Sequence, residues 1–247
     1  AANMLHSDTI AGAIAAAYAQ LYPNSDIWSF MDSFAVSSAF PFHNETLFFP
    51  KPMTKLPIKE DSTDLGMAKK IKKAAFLDQK LFEKVLNKLE IDLNTVEVSN
   101  GMMSSLPGAS HSFFKKDVQQ RVMVPRGGDG DSVTYYIERT WFAENSGLYF
   151  FIKSEGDLAT IETCLRYLAD TGVGTDKSVG NGQFKLSEPI IETIHLEVSG
   201  LANAQLAMSL YCPEKEELSQ DFLNNSTYNL ELRGGYMAGS SNEKLRH

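Results

Sequence analysis

Apolar residues near the start of the chain recur at helical spacing. Ile10, Ile14 and Ala17 lie three or four positions apart within the run HSDTIAGAIAAAYAQLY, which is the repeat of one helix face. Ser7 and Asp8 precede these positions and are residue types that often cap a helix N-terminus. The pattern therefore predicts an amphipathic helix that starts with a side-chain cap at Ser7 or Asp8.

The next segments alternate between helical and extended patterns. SDIWSFMDSF places its apolar residues on one stripe and predicts a short second helix. From Ser38 to about Gln120, short apolar pieces alternate with prolines, glycines and one long basic helical run, GMAKKIKKAAFLDQKLFEKVLNKL. This change of character predicts a large insertion at about 38–120.

After the insertion, side-chain character alternates with a period of two residues, as in a strand. SVTYYIERTWF and SGLYFFIKS are rich in aromatic and β-branched residues, and AENS lies between them. Val133, Tyr135, Ile137 and Trp141 then share one face of an extended strand. These features predict a β-hairpin in which the two runs pair with each other.

A helix and a glycine-rich segment come next. DLATIETCLRYLADTG begins with the capping residue type Asp157 and ends near Gly172, and GQFKL predicts a strand. With one further strand ahead of Ala1, this order is the β-α-β-β-α-β unit of the ferredoxin-like fold. We therefore expect an α+β protein with a ferredoxin-like (RRM-like) domain over 1–188, and segments missing at both ends.

The remainder, 189–247, predicts a second, smaller and incomplete α+β domain. TIHLEVSG, AQLAMSLYCP and STYNLELRGGYM have strand-like patterns, and PEKEELSQDFL predicts a short acidic helix.

Charge restricts where an anionic ligand can bind. The chain has 23 Lys and Arg against 31 Asp and Glu, a formal net charge of -8, which argues against a surface that is basic throughout. Any RNA or phosphate site must be a local patch. The densest basic patch is Lys69, Lys70, Lys72 and Lys73, which is either a solvated helix face or a surface near an RNA backbone.

Cysteine usage and hydropathy point to a cytoplasmic protein without a membrane anchor. Cys164 and Cys212 are far apart and show no spacing typical of a metal or redox site. The longest apolar stretch, Ile10 to Ala19, is too short to cross a bilayer. We expect two reduced thiols, no metal and no cofactor.

The segment GVGTDKSVGNGQF, from Gly172 to Phe184, concentrates glycine at one point of the chain. Glycine permits positive φ and close approach of a ligand to the backbone. A phosphate-binding P-loop or a dinucleotide fingerprint needs a strand before the loop and a helix after it, and here that order is reversed. An elaborate helix-to-strand connection and a binding loop both remain possible from these residues alone.

Five blocks in fixed order carry a resemblance to a known family. HSDTI, LFFPKP, RVMVPR, ENSGLYF and LADTGVGTDKSVGNGQF together resemble the RAMP superfamily of CRISPR proteins, and within it the Csm subunit-four family of type III-A effector complexes. The resemblance implies an antiviral subunit that holds the 5′ handle of the crRNA without cleaving it. It also implies three partners: the large polymerase/cyclase subunit, the backbone RAMP subunit and, indirectly, target RNA.

The resemblance assigns RNA binding to the glycine-rich segment. Exposed glycine amides can donate to phosphate oxygens, a lysine adds charge, and serine and asparagine side chains can bond sugar or base edges. The candidate residues are Gly172, Gly174, Lys177, Ser178, Gly180, Asn181, Gly182 and Phe184.

Other candidates come from the remaining blocks. Arg121 and Arg126 match the family's arginines in part, but Pro125 replaces the usual acidic residue, and two solvated arginines are the alternative. Lys51 follows FFP on a segment that its prolines hold extended. His6 and Ser7 complete the set of predicted RNA contacts.

Two other functions remain open. His6 could act as the general base of a RAMP endoribonuclease that processes repeat RNA. Alternatively, the chain could be a structural assembly subunit whose glycine-rich loop is only a connector. The sequence shows no carboxylate pair at catalytic spacing, no metal-ligand cluster and no nucleophile elbow, so a binding role without catalysis is the expectation.

Overall fold

The structure is a computed structural model that divides into two units. It describes residues 5–59, 65–108, 114–124, 131–174, 177, 180–198, 200, 204–236 and 245–246. The first unit takes 1–51 and 56–211, and the second takes 52–55 and 212–247. Within the described part of the chain, no helix has the length and apolar character needed to span a bilayer.

Two long helices form one layer of the first unit. Helix α1 (Ser7–Leu21) packs against α5 (Leu158–Thr171), and the short α2 (Ile27–Asp32) follows α1. Ile14 and Cys164 are completely buried where the two long helices meet. As predicted, the apolar stripe of α1 faces the core, and Asp157 caps α5 by accepting a hydrogen bond from the Ala159 N–H at 2.9 Å.

Between α1 and α5 the chain contains two extended segments that pair with each other, and each is bent and so divided into two strands. Strands β1 (Phe34–Val36) and β2 (Phe40–His43) pair antiparallel with β10 (Ile152–Ser154) and β9 (Ser146–Tyr149), respectively. At the bend, the Ser37 N–H donates to the Phe151 carbonyl at 3.0 Å, and the Phe151 N–H donates to Ser37 Oγ at 2.8 Å. The resulting order, helix, strand, strand, helix, is the inner part of a ferredoxin-like unit. The expected α+β fold is confirmed.

The segment between β2 and β9 extends the same sheet. Its elements are β3 (Thr46–Pro50), α3 (Leu65–Lys73), β4 (Phe76–Asp78), α4 (Gln79–Leu86), a 3-10 turn (Leu93–Thr95), β5 (Glu97–Ser99), β6 (Met102–Ser104), β7 (Phe114–Met123) and β8 (Val133–Phe142). The strand order of the sheet is β5-β6-β4-β3-β2-β9, in which β4 and β6 are parallel and the other neighbours antiparallel. Phe49 and Phe82 stack with ring centroids 4.7 Å apart in a separate core.

The basic helical run predicted in the insertion is two helices instead of one. Strand β4 interrupts it and pairs with β3 on one side and β6 on the other. Asp78, at the end of β4, caps α4 by accepting the Leu81 N–H at 2.8 Å. Tertiary pairing thus outweighs the helical propensity of the residues around Phe76.

The predicted hairpin between SVTYYIERTWF and SGLYFFIKS is wrong. Strand β8 pairs along its whole length with β7, from Phe114 opposite Phe142 to Met123 opposite Val133, while β9 leaves β8 to pair with β2. We call the β7–β8 pair the ribbon. Alternation identifies a strand but does not say which neighbour pairs with it.

The strands predicted after the glycine-rich loop are also largely wrong. Within the described residues, 183–187, 192–198, 204–214 and 226–234 form no strand, and Leu230 and Leu232 are 90% and 91% exposed. Without a neighbouring strand their backbone groups have no ladder to join. The second unit contains α6 (Gln220–Asn225), which overlaps only the last four residues of the predicted acidic helix, and the short pair β11 (Gly235–Tyr236) with β12 (Leu245–Arg246).

Residues just beyond 188 are held to the first unit by side chains. Asn87 donates from its amide to the Glu197 carbonyl at 2.7 Å, and Gln79 donates to the His195 carbonyl at 3.1 Å. The predicted domain boundary after 188 stays a prediction.

Candidate nucleic-acid interface

Four glycines of the glycine-rich loop, which follows α5, have a left-handed backbone conformation. Gly172, Gly174, Gly180 and Gly182 all have positive φ, between 74° and 103°, a conformation that strongly favours glycine. The Val173 N–H donates to the Gly182 carbonyl at 3.0 Å and closes the neck of the loop. A Cβ at Gly182 would lie 1.8 Å from the Val173 carbonyl oxygen, so this position needs glycine.

The loop displays its outer part to solvent. Lys177 is exposed, and the Gly180 N–H donates to its carbonyl at 3.1 Å. Among the described residues, a Cβ at Gly174 or Gly180 would meet nothing within 4 Å. Asn181 is half-buried and Phe184 is 37% exposed, while the predicted contact Ser178 lies outside the described residues.

Arg121 lies near the end of β7, on one particular face of the ribbon. Because paired residues of antiparallel strands share a face and successive residues alternate, Arg121 and its partner Tyr135 belong to the same set. We call this set the basic face, and it has three cations and one carboxylate. Its members are Lys115, Asp117, Gln119, Arg121, Met123, Val133, Tyr135, Ile137, Arg139 and Trp141.

The basic face combines positive charge with accessible aromatic rings. Tyr135 and Trp141 are 42% and 55% exposed. The buried Nε of Arg139 has no hydrogen-bond partner among the described residues. On the opposite face, Lys116 and Glu138 form an ion pair and cancel each other's charge. The second predicted arginine, Arg126, lies outside the described residues.

Lys51 is engaged inside the protein. Its ammonium donates to the Ile71 carbonyl at 2.8 Å and to the Lys72 carbonyl at 3.4 Å, at the C-terminal end of α3. Cations are favourable at this end of a helix. Partial burial lowers the pKa of Lys51. The lysine therefore terminates α3, a role that sequence reasoning missed because Ile71 is 20 positions away.

His6 and Ser7 occupy the start of α1 in a different way from the predicted cap. His6 is the N-cap residue, and its side chain makes no capping hydrogen bond. Ser7 is buried, and its Oγ accepts a hydrogen bond from the Leu210 N–H at 3.0 Å. Asp8 Oδ1 accepts the Thr9 N–H at 2.7 Å in the first turn. The predicted N-cap at Ser7 or Asp8 is thus wrong in position, and the Ser7 hydroxyl is used for a contact 203 residues away.

A cleft that sequence reasoning missed lies where the end of α3, the β5–β6 turn and the start of β7 meet. Its volume is about 350 Å³. The turn carries Asn100 and Gly101, both with positive φ, and the Asn-Gly pair was the available signal for this turn. We call it the α3–β7 cleft; its lining residues are Lys73, Ala75, Phe76, Asn100, Gly101, Met102, Phe114 and Lys116.

The predicted contacts belong to separate elements of the first unit. The loop follows α5, Arg121 lies on the ribbon, Lys51 borders α3, and His6 starts α1. Charge and aromatic surface occur together on the ribbon and in the α3–β7 cleft, whereas the loop offers mainly backbone and one lysine.

Comparison with known proteins identifies relatives. No protein-family model matches the chain. A protein of Thermococcus onnurineus (strain NA1), named CRISPR system Cms protein Csm4, is 30% identical over 193 residues, which are 73% of this chain and 61% of that protein. The chain thus spans about three fifths of the length of this relative.

Solved structures agree with this relationship. The Csm3–Csm4 subcomplex of the type III-A CRISPR-Cas interference complex matches with a TM-score of 0.51 at 20% identity, over 69% of this chain and 60% of the other. The Csm1–Csm4 cassette in complex with cA4 matches with a TM-score of 0.51 at 25% identity, over 68% and 61%. The chain is therefore a homologue of Csm4 and resembles it in sequence and in fold.

Proposed function

We propose that this chain is the RNA-binding Csm4 subunit of a type III-A CRISPR interference complex. In this role it holds the 5′ handle of the crRNA without cleaving it and caps the complex beside the large polymerase/cyclase subunit. The observation that carries the proposal is the glycine-rich loop, closed at its neck and exposed at Gly174, Lys177 and Gly180, in a homologue of Csm4.

The loop suits an extended, single-stranded RNA backbone. Gly174 and Gly180 have positive φ and carry no side chain of their own, so a phosphate or sugar could lie against their peptide groups. Lys177 supplies the cation at the same surface. The hydrogen bond between Val173 and Gly182 fixes the loop before RNA arrives, which reduces the ordering cost of binding.

The basic face of the ribbon supplies a second contact of a different kind. The guanidinium of Arg121 can bind phosphate or base edges, and the exposed rings of Tyr135 and Trp141 can stack on bases. Loop and ribbon together would bind both backbone and bases of a splayed strand.

Protein partners follow from the relatives. The solved complexes contain Csm4 with Csm3 and with Csm1. We propose that this chain binds the corresponding backbone RAMP subunit and large subunit, and that it meets target RNA only through the assembled complex.

The direct test is to purify the protein with its neighbouring subunits and map the RNA crosslinked to it. We expect a uniform repeat-derived 5′ handle attached within Gly172–Phe184 or near Arg121. Heterogeneous RNA, or crosslinks confined to other surfaces, would contradict handle binding and favour the connector interpretation of the loop.

A variant measures the contribution of the loop. Lys177→Ala removes one phosphate contact, so the salt dependence of single-stranded RNA binding should weaken by about 0.7 in the slope of log K against log salt. Lys153→Ala, an exposed lysine on β10, is the matched control and should leave the slope unchanged. An identical slope for Lys177→Ala and wild type would remove Lys177 from the interface.

The endoribonuclease alternative has its own test. It requires metal-independent cleavage of repeat RNA that disappears in His6→Ala. The His6 side chain makes no hydrogen bond that caps α1. Absence of cleavage by the wild-type complex supports binding alone.

A further inference from the structure

We infer that the α3–β7 cleft binds one unstacked nucleotide of RNA. The inference rests on the proposed RNA-binding function but concerns a different surface from the glycine-rich loop and from the predicted contacts. It is drawn from the lining of the cleft, which combines an aromatic floor, two lysines and an asparagine.

The floor of the cleft is apolar and supported from below. Phe76 and Phe114 are partly buried and pack against Phe48 and Met102, which are 0% and 1% exposed. A ring fixed in this way offers a preformed stacking surface for a base. The volume of about 350 Å³ lies within the range of sites that hold small ligands.

The rim supplies groups suited to the polar parts of a nucleotide. Lys73 is exposed, and within the described part of the chain no carboxylate lies within ion-pair distance of it. The exposed carboxamide of Asn100 offers both donors and an acceptor to a base edge. Lys116 lies on the other side and shares its charge with Glu138.

Charge favours RNA over a protein segment as the occupant. Among the described residues that line the cleft there is no Asp or Glu, although acidic residues outnumber basic ones in the chain. The exposed Lys69, Lys70 and Lys72 continue from Lys73 along α3. A base in the cleft would therefore have its neighbouring phosphates beside a row of cations.

The test uses the assembled complex with 4-thiouridine placed at successive positions of its RNA. Crosslinked peptides are identified by mass spectrometry. We expect one position to crosslink to peptides containing Phe76 or Phe114, while handle positions crosslink to Gly172–Phe184. Handle crosslinks without any cleft crosslink would overturn this inference and leave the proposed function standing, whereas loss of both would overturn both.

Charge reversal gives an independent measurement. Lys73→Glu should weaken RNA binding about tenfold at low salt, with the difference shrinking as salt rises. Lys80→Glu, an exposed lysine on α4, is the matched control for the change in net charge. Equal affinities for the two variants, or a crosslink from the cleft to a protein subunit in place of RNA, would contradict a nucleotide site.

Discussion

Asp78 is the residue on which the insertion's local order depends. It is 1% exposed, and its carboxylate accepts hydrogen bonds from the Leu81 N–H, from Ser104 Oγ, and from both the N–H and Oγ of Ser105 at 2.6 to 2.9 Å. The side chain therefore connects the start of α4 with the end of β6. A buried carboxylate is tolerated because its oxygens are satisfied.

We expect Asp78→Ala to destabilise the fold strongly. The change leaves four donors without their acceptor, and we estimate a loss of about 3 kcal/mol in the free energy of unfolding. Asp157→Ala, which removes a solvent-exposed helix cap, should cost about 1 kcal/mol. Urea denaturation of both variants measures the difference, and equal losses would mean that Asp78 acts only as a cap.

At the residue scale, the sequence predicts the role of a residue when the partner of that residue is close along the chain. The cap at Asp157 and the buried stripe of α1 depend on spacings of two to four residues and are confirmed. The internal contacts of Ser7 and Lys51 depend on Leu210 and Ile71. No local pattern reports such distant partners, so Lys51 was predicted as an RNA contact, and Ser7 as a helix cap and an RNA contact.

Among the elements, the glycine-rich loop contains two glycines, Gly174 and Gly182, at which a substitution should have different costs. Gly182 and Gly174 both have positive φ, but only Gly182 has backbone against the space where a Cβ would lie. A substitution at Gly174 therefore costs backbone strain alone, of the order of 1 kcal/mol. At Gly182 the neck of the loop must open.

The expected result is that Gly182→Ala abolishes the handle crosslink while Gly174→Ala weakens it modestly. Thermal denaturation serves as the folding control, because both variants should keep the core of α1 and α5. The opposite ranking, with Gly174→Ala more damaging, would show that the outer surface matters through its backbone conformation and not through the closed neck.

Helices and strands were predictable where the pattern of apolar residues alone defines them. They were not predictable where strand pairing decides the structure. Helices α1, α2 and α5 follow their apolar stripes, and β8 follows its alternation. The partner of β8, the break at β4 and the absence of strands at 183–187 depend on which edges are available. Pairing is a property of the whole sheet, which a one-dimensional pattern does not contain.

For the molecule as a whole, the two cysteines report opposite environments. Cys164 is completely buried between α1 and α5, and Cys212 is exposed. Burial raises the pKa of the Cys164 thiol. The thiol form is favoured by folding, so this contribution to stability is complete below the pKa of an unfolded cysteine, about 8.5, and declines as the pH rises above it.

We expect a thiol reagent to modify one cysteine rapidly in the native protein and two in denaturant. Labelling of Cys164 requires opening of the helical core and should be at least about 10³-fold slower than labelling of Cys212. Cys212→Ser should remove the fast phase, and Cys164→Ala the slow one. Two equally fast thiols would contradict the packing of α5 on α1.

The pairing of β2 with β9 implies an order of folding. These strands are about a hundred residues apart, as Phe40 lies opposite Tyr149, and such contacts come late because a long loop must first be closed. The intervening chain has its own core around Phe49 and Phe82. If that core collapses first, it brings His43 and Ser146 together, and the outer strands and helices can then close around an already compact insertion.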